Sequence, residues 1–199
     1  MYNVKLISFD FDGTICPDSN NYLQFEERFI KILKEKYSLK DISREKRQEI
    51  KDSLTPIEWE NLKKEARKLW IENFKIPHEV KDSLNKLKDN FKLIIFSVAS
   101  KNYINKIILN NGINASIFDK IYSTRDDFDG KVSKEVWMFK EIAKKEGLVV
   151  SECAHIGDHE YQDYLSAKEA GFASFLVDNS HLNRIKISEL GEILKNNKT

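Results

Sequence analysis

Cysteine is nearly absent from this 199-residue chain. The two present, Cys16 and Cys153, are too few and too far apart for a disulfide framework or a zinc site. They read as free thiols of a reducing compartment. Cys16 falls close to an acidic pair, but no histidine stands near it in sequence to support a covalent role. Charge of one sign is also lacking, since Lys and Arg number 33 against 32 Asp and Glu. No global field therefore draws the chain to nucleic acid or to an anionic membrane. No apolar run approaches the roughly 18–20 residues that a membrane-crossing helix needs. Met1 leads almost directly into a strand, without a signal-peptide pattern. Repeats and low-complexity segments are missing as well. The expectation is a soluble, cytoplasmic protein of one domain, or of one domain with an insert. Its oligomeric state, monomer or homodimer, stays open.

What is present is organised around residues 4–14. The apolar run Leu6-Ile7-Ser8-Phe9 predicts a strand buried on both faces, as in a parallel sheet. It ends in Asp10 and Asp12, followed by Gly13 and Thr14. In an open α/β sheet, ligands bind at the carboxyl ends of strands. Two carboxylates about 4 Å apart there would repel by roughly 4 kcal/mol at an effective dielectric near 20. Such a pair needs a cation or a shared proton. The plain alternative is a strand end capped by turn acids.

A helical insert follows. Pro17 marks its entry, with Asp18 and Ser19 as candidate N-caps. Tyr22, Phe25, Phe29, Leu33 and Tyr37 recur at helical spacing, and the polar residues 38–54 read as a short exposed helix or a loop. Thr55-Pro56-Ile57-Glu58 spells a capping box with proline at the first helical position. Trp59, Leu62, Ala66, Leu69 and Phe74 continue as an apolar stripe, and Pro77 closes the segment. The expected division is a core of 1–16 and 77–199 with a helical insert at 17–76. Arg44, Arg47, Lys63 and Arg67 could meet an anionic ligand, although a solvated helix face explains them as simply. Trp59 and Trp70 read as core.

Beyond the insert, strands and helices alternate, which gives an α/β doubly wound fold. Phe91–Phe96 forms a strand ending in Ser97, whose hydroxyl can donate to an anion. Ser100 is placed to cap the helix that follows. A strand over 118–123 leads to Asp126-Asp127-Phe128-Asp129-Gly130, read as an acidic loop and turn. Lys131 and Lys134 precede a helix through Val136, Phe139 and Ala143, capped at Gly147. Ala154-His155-Ile156-Gly157-Asp158 reads as a strand running into a glycine and an acid, with Asp163 five residues on. Asp158 is a natural further ligand for a hard, oxygen-seeking cation. His155 reads as structural and His159 as a surface imidazole. Residues 173–177 give a final strand, and the polar tail from His181 has room for a short helix.

Asp10-Phe11-Asp12-Gly13-Thr14, Ser97, Lys131 and Gly157-Asp158 with Asp163 and Ala167-x-x-Ala170-Gly171 together resemble, in order, the four motifs of the haloacid dehalogenase-like superfamily. Val98 and Val132 depart from the Asn and Pro usual there. The resemblance implies a Rossmann-like doubly wound core with a small α-helical cap. It implies a magnesium-dependent phosphatase that hydrolyses a small phosphorylated metabolite through an aspartyl phosphate. Asp10 would be the nucleophile and Asp12 the general acid and base. Ser97 and Lys131 would hold the phosphate, with Lys134 competing for the lysine role. Magnesium would sit on Asp10, the Asp12 carbonyl and Asp158, with Asp163 behind them orienting a water or Lys131. Asp12 favours phosphoryl transfer, because a halide leaving group needs no acid. A sugar-phosphate mutase on the same residues, or a non-catalytic binding protein on the same fold, are the alternatives.

Overall fold

The computed structural model describes residues 3–17, 22–177 and 186–196, with the side chains of 22–24, 188, 195 and 196 set aside. The proposed caps Asp18 and Ser19 and the start of the tail at His181 lie outside the described residues. The chain divides into two compact units, Met1–Asp18 with Lys75–Thr199, and Ser19–Phe74.

The larger unit is built on a parallel sheet of five strands in the order β3-β2-β1-β4-β5. The strands are β1 (Leu6–Phe9), β2 (Lys92–Ser97), β3 (Lys120–Ser123), β4 (Cys153–Gly157) and β5 (Ala173–Leu176). The predicted α/β doubly wound class is the observed one. β1 is central, with Phe9 opposite Ile95 on β2 and Ile156 on β4. All four of its residues are buried, as a strand covered on both faces requires. From β1 the chain steps outward to β2 and β3, then returns across the sheet to β4 and β5. Parallel connections of this kind are right-handed as a rule, which puts the helices of the two halves on opposite faces. The order reverses between β1 and β4, so the crevice for a ligand opens beyond the carboxyl ends of those two strands.

Between β1 and β2 the larger unit carries α4 (His78–Lys88). α5 (Lys101–Asn110) joins β2 to β3, and α7 (Val136–Lys145) joins β3 to β4. A single turn, α6 (Thr124–Asp127), follows β3, and α8 (Ser166–Ala170) leads into β5. A terminal helix, α9 (Leu190–Asn196), closes the described chain. Leu6, Ile94, Phe96, Tyr122 and Cys153 from the sheet pack with Met138, Phe139 and Ile142 of α7 and Ala167 and Ala170 of α8. Ser100 caps α5 as expected, accepting from the Tyr103 amide. The acidic stretch after β3 is partly helical instead of all loop. Its carboxylates anchor the same helix start. Asp126 accepts from the Lys101 amide at 2.7 Å, and Asp127 from the Lys101 ammonium at 2.6 Å.

The smaller unit holds α1 (Tyr22–Lys36), α2 (Arg44–Asp52) and α3 (Pro56–Glu72). The capping box at Thr55 and Glu58 forms, and Ser43 caps α2. The polar stretch 38–54 therefore does contain a helix, whose buried residue Ile50 joins the aromatic core. Phe25 stacks on Phe29, and Trp59 meets Phe29 edge-on at 5.0 Å. No helix among the described residues is long and apolar enough to cross a membrane.

Candidate active site

Asp10 is the first residue beyond β1, and its amide bonds to the Ile156 carbonyl of β4 at 2.8 Å. The chain then curls back at once. Gly13 adopts a positive φ of 79°, and the amides of Thr14 and Cys16 both return to the Phe11 carbonyl. A side chain is strained in that left-handed region, which is why glycine suits position 13. The curl leaves Asp10 buried, at 7% exposure, and brings Asp12 toward α5. There the Tyr103 hydroxyl donates to the Asp12 carboxylate at 3.0 Å. The Tyr103 ring meets Phe11 edge-on at 6.3 Å, so both partners stand on packed residues.

Asp158 follows β4, and the Thr14 hydroxyl donates to its carboxylate at 3.4 Å. A π-helical turn, Glu160–Leu165, then swings Asp163 back under the strand end. Gly157 makes the return possible, because a Cβ there would overlap the Asp163 carboxylate. Asp163 is saturated. Its Oδ1 accepts from the Lys134 ammonium at 2.5 Å and from His155 Nε2 at 3.1 Å. Its Oδ2 accepts from the His159 amide at 3.0 Å. His155 is fully buried and reaches Ser8 on the neighbouring strand at 3.0 Å through Nδ1.

The ammonium at the centre belongs to Lys134. It donates to Asp10 Oδ1 at 2.6 Å as well as to Asp163, and lies 5.5 Å above the Phe96 ring. The expectation that Lys131 fills this place is corrected by the geometry. Lys131 pairs at the surface with Glu135, its side chain 49% exposed, whereas that of Lys134 is 2% exposed. The expected partner of Asp163 changes with it. The physical reason is reach. Lys131 follows the turn at Gly130, which has a positive φ of 71°. Lys134 lies deeper in the approach to α7, and its amide is held by Gln162 at 3.3 Å. Ser97, at the end of β2, is buried. Its hydroxyl oxygen accepts from the Ala99 amide at 3.2 Å, leaving its proton for an incoming acceptor.

Burial pushes the Asp10 carboxyl up to about 8, against the pull of the Lys134 ammonium. Asp158 is raised by burial and by the nearby Asp163 charge. Asp163 is held below the usual carboxylate range by Lys134 and His155, despite its burial. Lys134 is raised by its two carboxylate partners, again against burial. Burial pushes His155 down, toward the neutral ring. Carboxylate oxygens of Asp10, Asp158 and Asp163 lie within 4.8 Å of one another. One ammonium does not balance three carboxylates. The donor set suits a hard cation. Asp163 is already committed to Lys134 and His155, so Asp10 and Asp158 are the side chains left to hold it.

Cys16 and Cys153 are both buried, and burial pushes the Cys153 thiol up to about 12. Sequence reasoning placed Thr14 in the opening motif without a partner, and it missed Tyr103 and Ser8 as site residues. Nothing in the spacing of Tyr103 or Ser8 marks them, since each reaches its partner across a different element.

In a parallel α/β sheet ligands bind beyond the carboxyl ends of the strands at the switch point, which is where the clustered acids lie. Residues 4–171 match the haloacid dehalogenase-like hydrolase family, and the chain belongs to it. Among solved structures, the chain is similar to a 2-haloacid dehalogenase from Pseudomonas syringae pv. Tomato DC3000. The two share 19% identity over 97% of this chain and 99% of that one, with a TM-score of 0.70. A HAD phosphatase from Thermococcus onnurineus is 21% identical over 96% and 98%, with a TM-score of 0.68. A predicted phosphoglycolate phosphatase from Haemophilus somnus 129pt is 18% identical over 97% and 99%, with a TM-score of 0.69. No curated protein matches the sequence.

Proposed function

We propose that this hydrolase is a magnesium-dependent phosphatase acting on a small phosphomonoester through an aspartyl phosphate. The observation that carries the reading is Asp12. A second carboxylate stands two residues beyond Asp10, held by the Tyr103 hydroxyl at 3.0 Å. Halide departure needs no proton, whereas an alkoxide leaving group does.

Asp10 attacks phosphorus through the carboxylate oxygen that Lys134 does not hold. Lys134 fixes the attacking side chain by its 2.6 Å contact and presents positive charge to the transferring oxygens. The Ser97 hydroxyl donates to one of those oxygens. Asp12 gives its proton to the leaving oxygen, then takes one from the water that opens the acyl phosphate. A bound magnesium ion would be held by Asp10 and Asp158 and would supply the positive charge that lets both stay ionised beside a phosphate. The substrate on this reading is a small phosphorylated metabolite.

The test follows phosphate release from an aryl phosphate and from a panel of phosphorylated metabolites, with and without magnesium. Turnover should require magnesium and should fall by at least about 10³-fold in Asp10→Asn, as expected when a nucleophile is removed. Activity that survives this substitution would overturn the mechanism.

A further inference from the structure

The smaller unit carries a second concentration of charge, of opposite sign, that the reaction above does not use. Arg44, Arg47, Gln48 and Lys51 recur at helical spacing along one face of α2. With Phe25 and Glu26 of α1 and Trp59 and Lys63 of α3 they line a cavity of about 340 Å³. That volume lies within the range of small-molecule sites, near its lower end. All the lining residues belong to the smaller unit.

Four of the lining side chains are cationic and one, Glu26, is acidic. Glu26 is tied to Arg47 by two hydrogen bonds, at 2.5 and 3.3 Å. Lys63 is paired with Glu60. Arg44 and Lys51 have no ion pair among the described residues. Like charges gathered around one concavity repel, and an anion is what relieves them. Arg47 is already oriented, since its guanidinium lies 5.0 Å over the Phe29 ring while Glu26 holds its edge. A ligand meeting it would not have to order that side chain, which removes part of the cost of binding. Arg44 occupies the first turn of α2, where the helix dipole disfavours a cation. Helix stability therefore does not account for that charge, whereas an anion beside it would.

The structure assigns this cavity as a binding site for a compact polyanion carrying two or more phosphate or carboxylate groups. Arg47 is the fixed anchor. Arg44 and Lys51, both exposed, close on the ligand from either end of the α2 face. The buried rings of Phe25 and Trp59 form the floor.

Inorganic pyrophosphate is the probe, titrated calorimetrically into the full-length protein in buffer free of divalent cations. The cavity variants leave the acidic site untouched, and the buffer withholds the metal its reading calls on, so a failure of one reading is distinguishable from a failure of the other. Arg44→Gln with Lys51→Gln removes two exposed charges from the cavity. Lys64→Gln with Lys68→Gln removes two exposed charges from α3 outside it, and circular dichroism checks that both proteins fold. The expected result is saturable binding, weakened at least about tenfold by the cavity pair and less than about twofold by the α3 pair. Equal weakening by both pairs would mean a diffuse field and would overturn the assignment. Binding that ignores the cavity pair, or no binding at millimolar pyrophosphate, would overturn it too.

Discussion

Lys134 illustrates how much a single side chain decides here. Its ammonium is the shared partner of two buried carboxylates, Asp10 and Asp163. Removing one partner of a buried ion pair typically costs about 3–5 kcal/mol, because the other charge stays behind. Lys134→Met should therefore lower both the unfolding midpoint and turnover, the latter by about 10²-fold or more. Lys131→Met, at the surface, should leave turnover within about twofold. A phosphate-release assay on both variants separates them, and equal losses would contradict the placement. Tyr103→Phe keeps the ring against Phe11 and deletes only the hydroxyl. It should reduce kcat about tenfold with KM little changed, since Asp12 acts on the reacting atoms and not on ground-state binding. A change confined to KM would assign Tyr103 to substrate contact instead. Asp10, Asp12 and Asp158 were legible in the sequence because they follow apolar strands. The lysine was not, because two candidates three residues apart differ only in how the intervening loop turns.

At the scale of the element, the β4 end does the most to build the site. Gly157 ends the strand, and the π-helical turn brings Asp163 beneath it. A wider turn than the α-helix accommodates the extra residue that this return needs. Gly157→Ala would place a methyl group where the Asp163 carboxylate sits. The expected result is a loss of about 1–3 kcal/mol in chemical denaturation, the usual cost of overpacking. Activity should fall with it, because Lys134 loses its second anchor. Wild-type stability in this variant would mean that Asp163 can move without cost. The glycine and the acids around it were visible in the sequence. The π turn was not, since nothing in residues 160–165 departs from an ordinary helical pattern.

The whole molecule sets the charge balance. With Asp10 raised from 3.8 to about 8, the unfolded chain has released a proton that the folded chain still holds between those values. Stability then falls as pH rises through that window. Asp163 works in the opposite sense, but its contribution is complete above the ordinary carboxylate range and is lost only in acid. Neutral His155 contributes only below its ordinary value of 6.5. Between pH 7 and 8.5 the Asp10 effect should therefore stand out. In buffer without divalent cations the unfolding midpoint should drop by about 2–4 °C, the equivalent of roughly 1 kcal/mol in a chain of this size. Magnesium should cancel the drop, and Asp10→Asn should be insensitive to both. A slope that persists in Asp10→Asn would belong to another group. At this scale the sequence told the alternation of strands and helices but not their order. Strand neighbours are set by crossovers that span tens of residues, and no local pattern encodes them. The helical insert was legible from its prolines and capping box, with expected edges at residues 17 and 76 against compact units that divide after Asp18 and Phe74.

The buried imidazole of His155 has a use outside catalysis. An ionised Asp163 can only accept, so His155 Nε2 must carry the proton and Nδ1 must take the Ser8 hydroxyl. The tautomer of this ring is thereby dictated by its neighbours. Any ligand that redistributes charge on Asp10 acts on Lys134, then on Asp163, and only then on the ring. With four histidines in the chain, its nitrogen resonance is a tractable assignment by nuclear magnetic resonance. A nucleus locked inside the sheet thus becomes a native sensor for what arrives at its mouth, without dye, label or turnover.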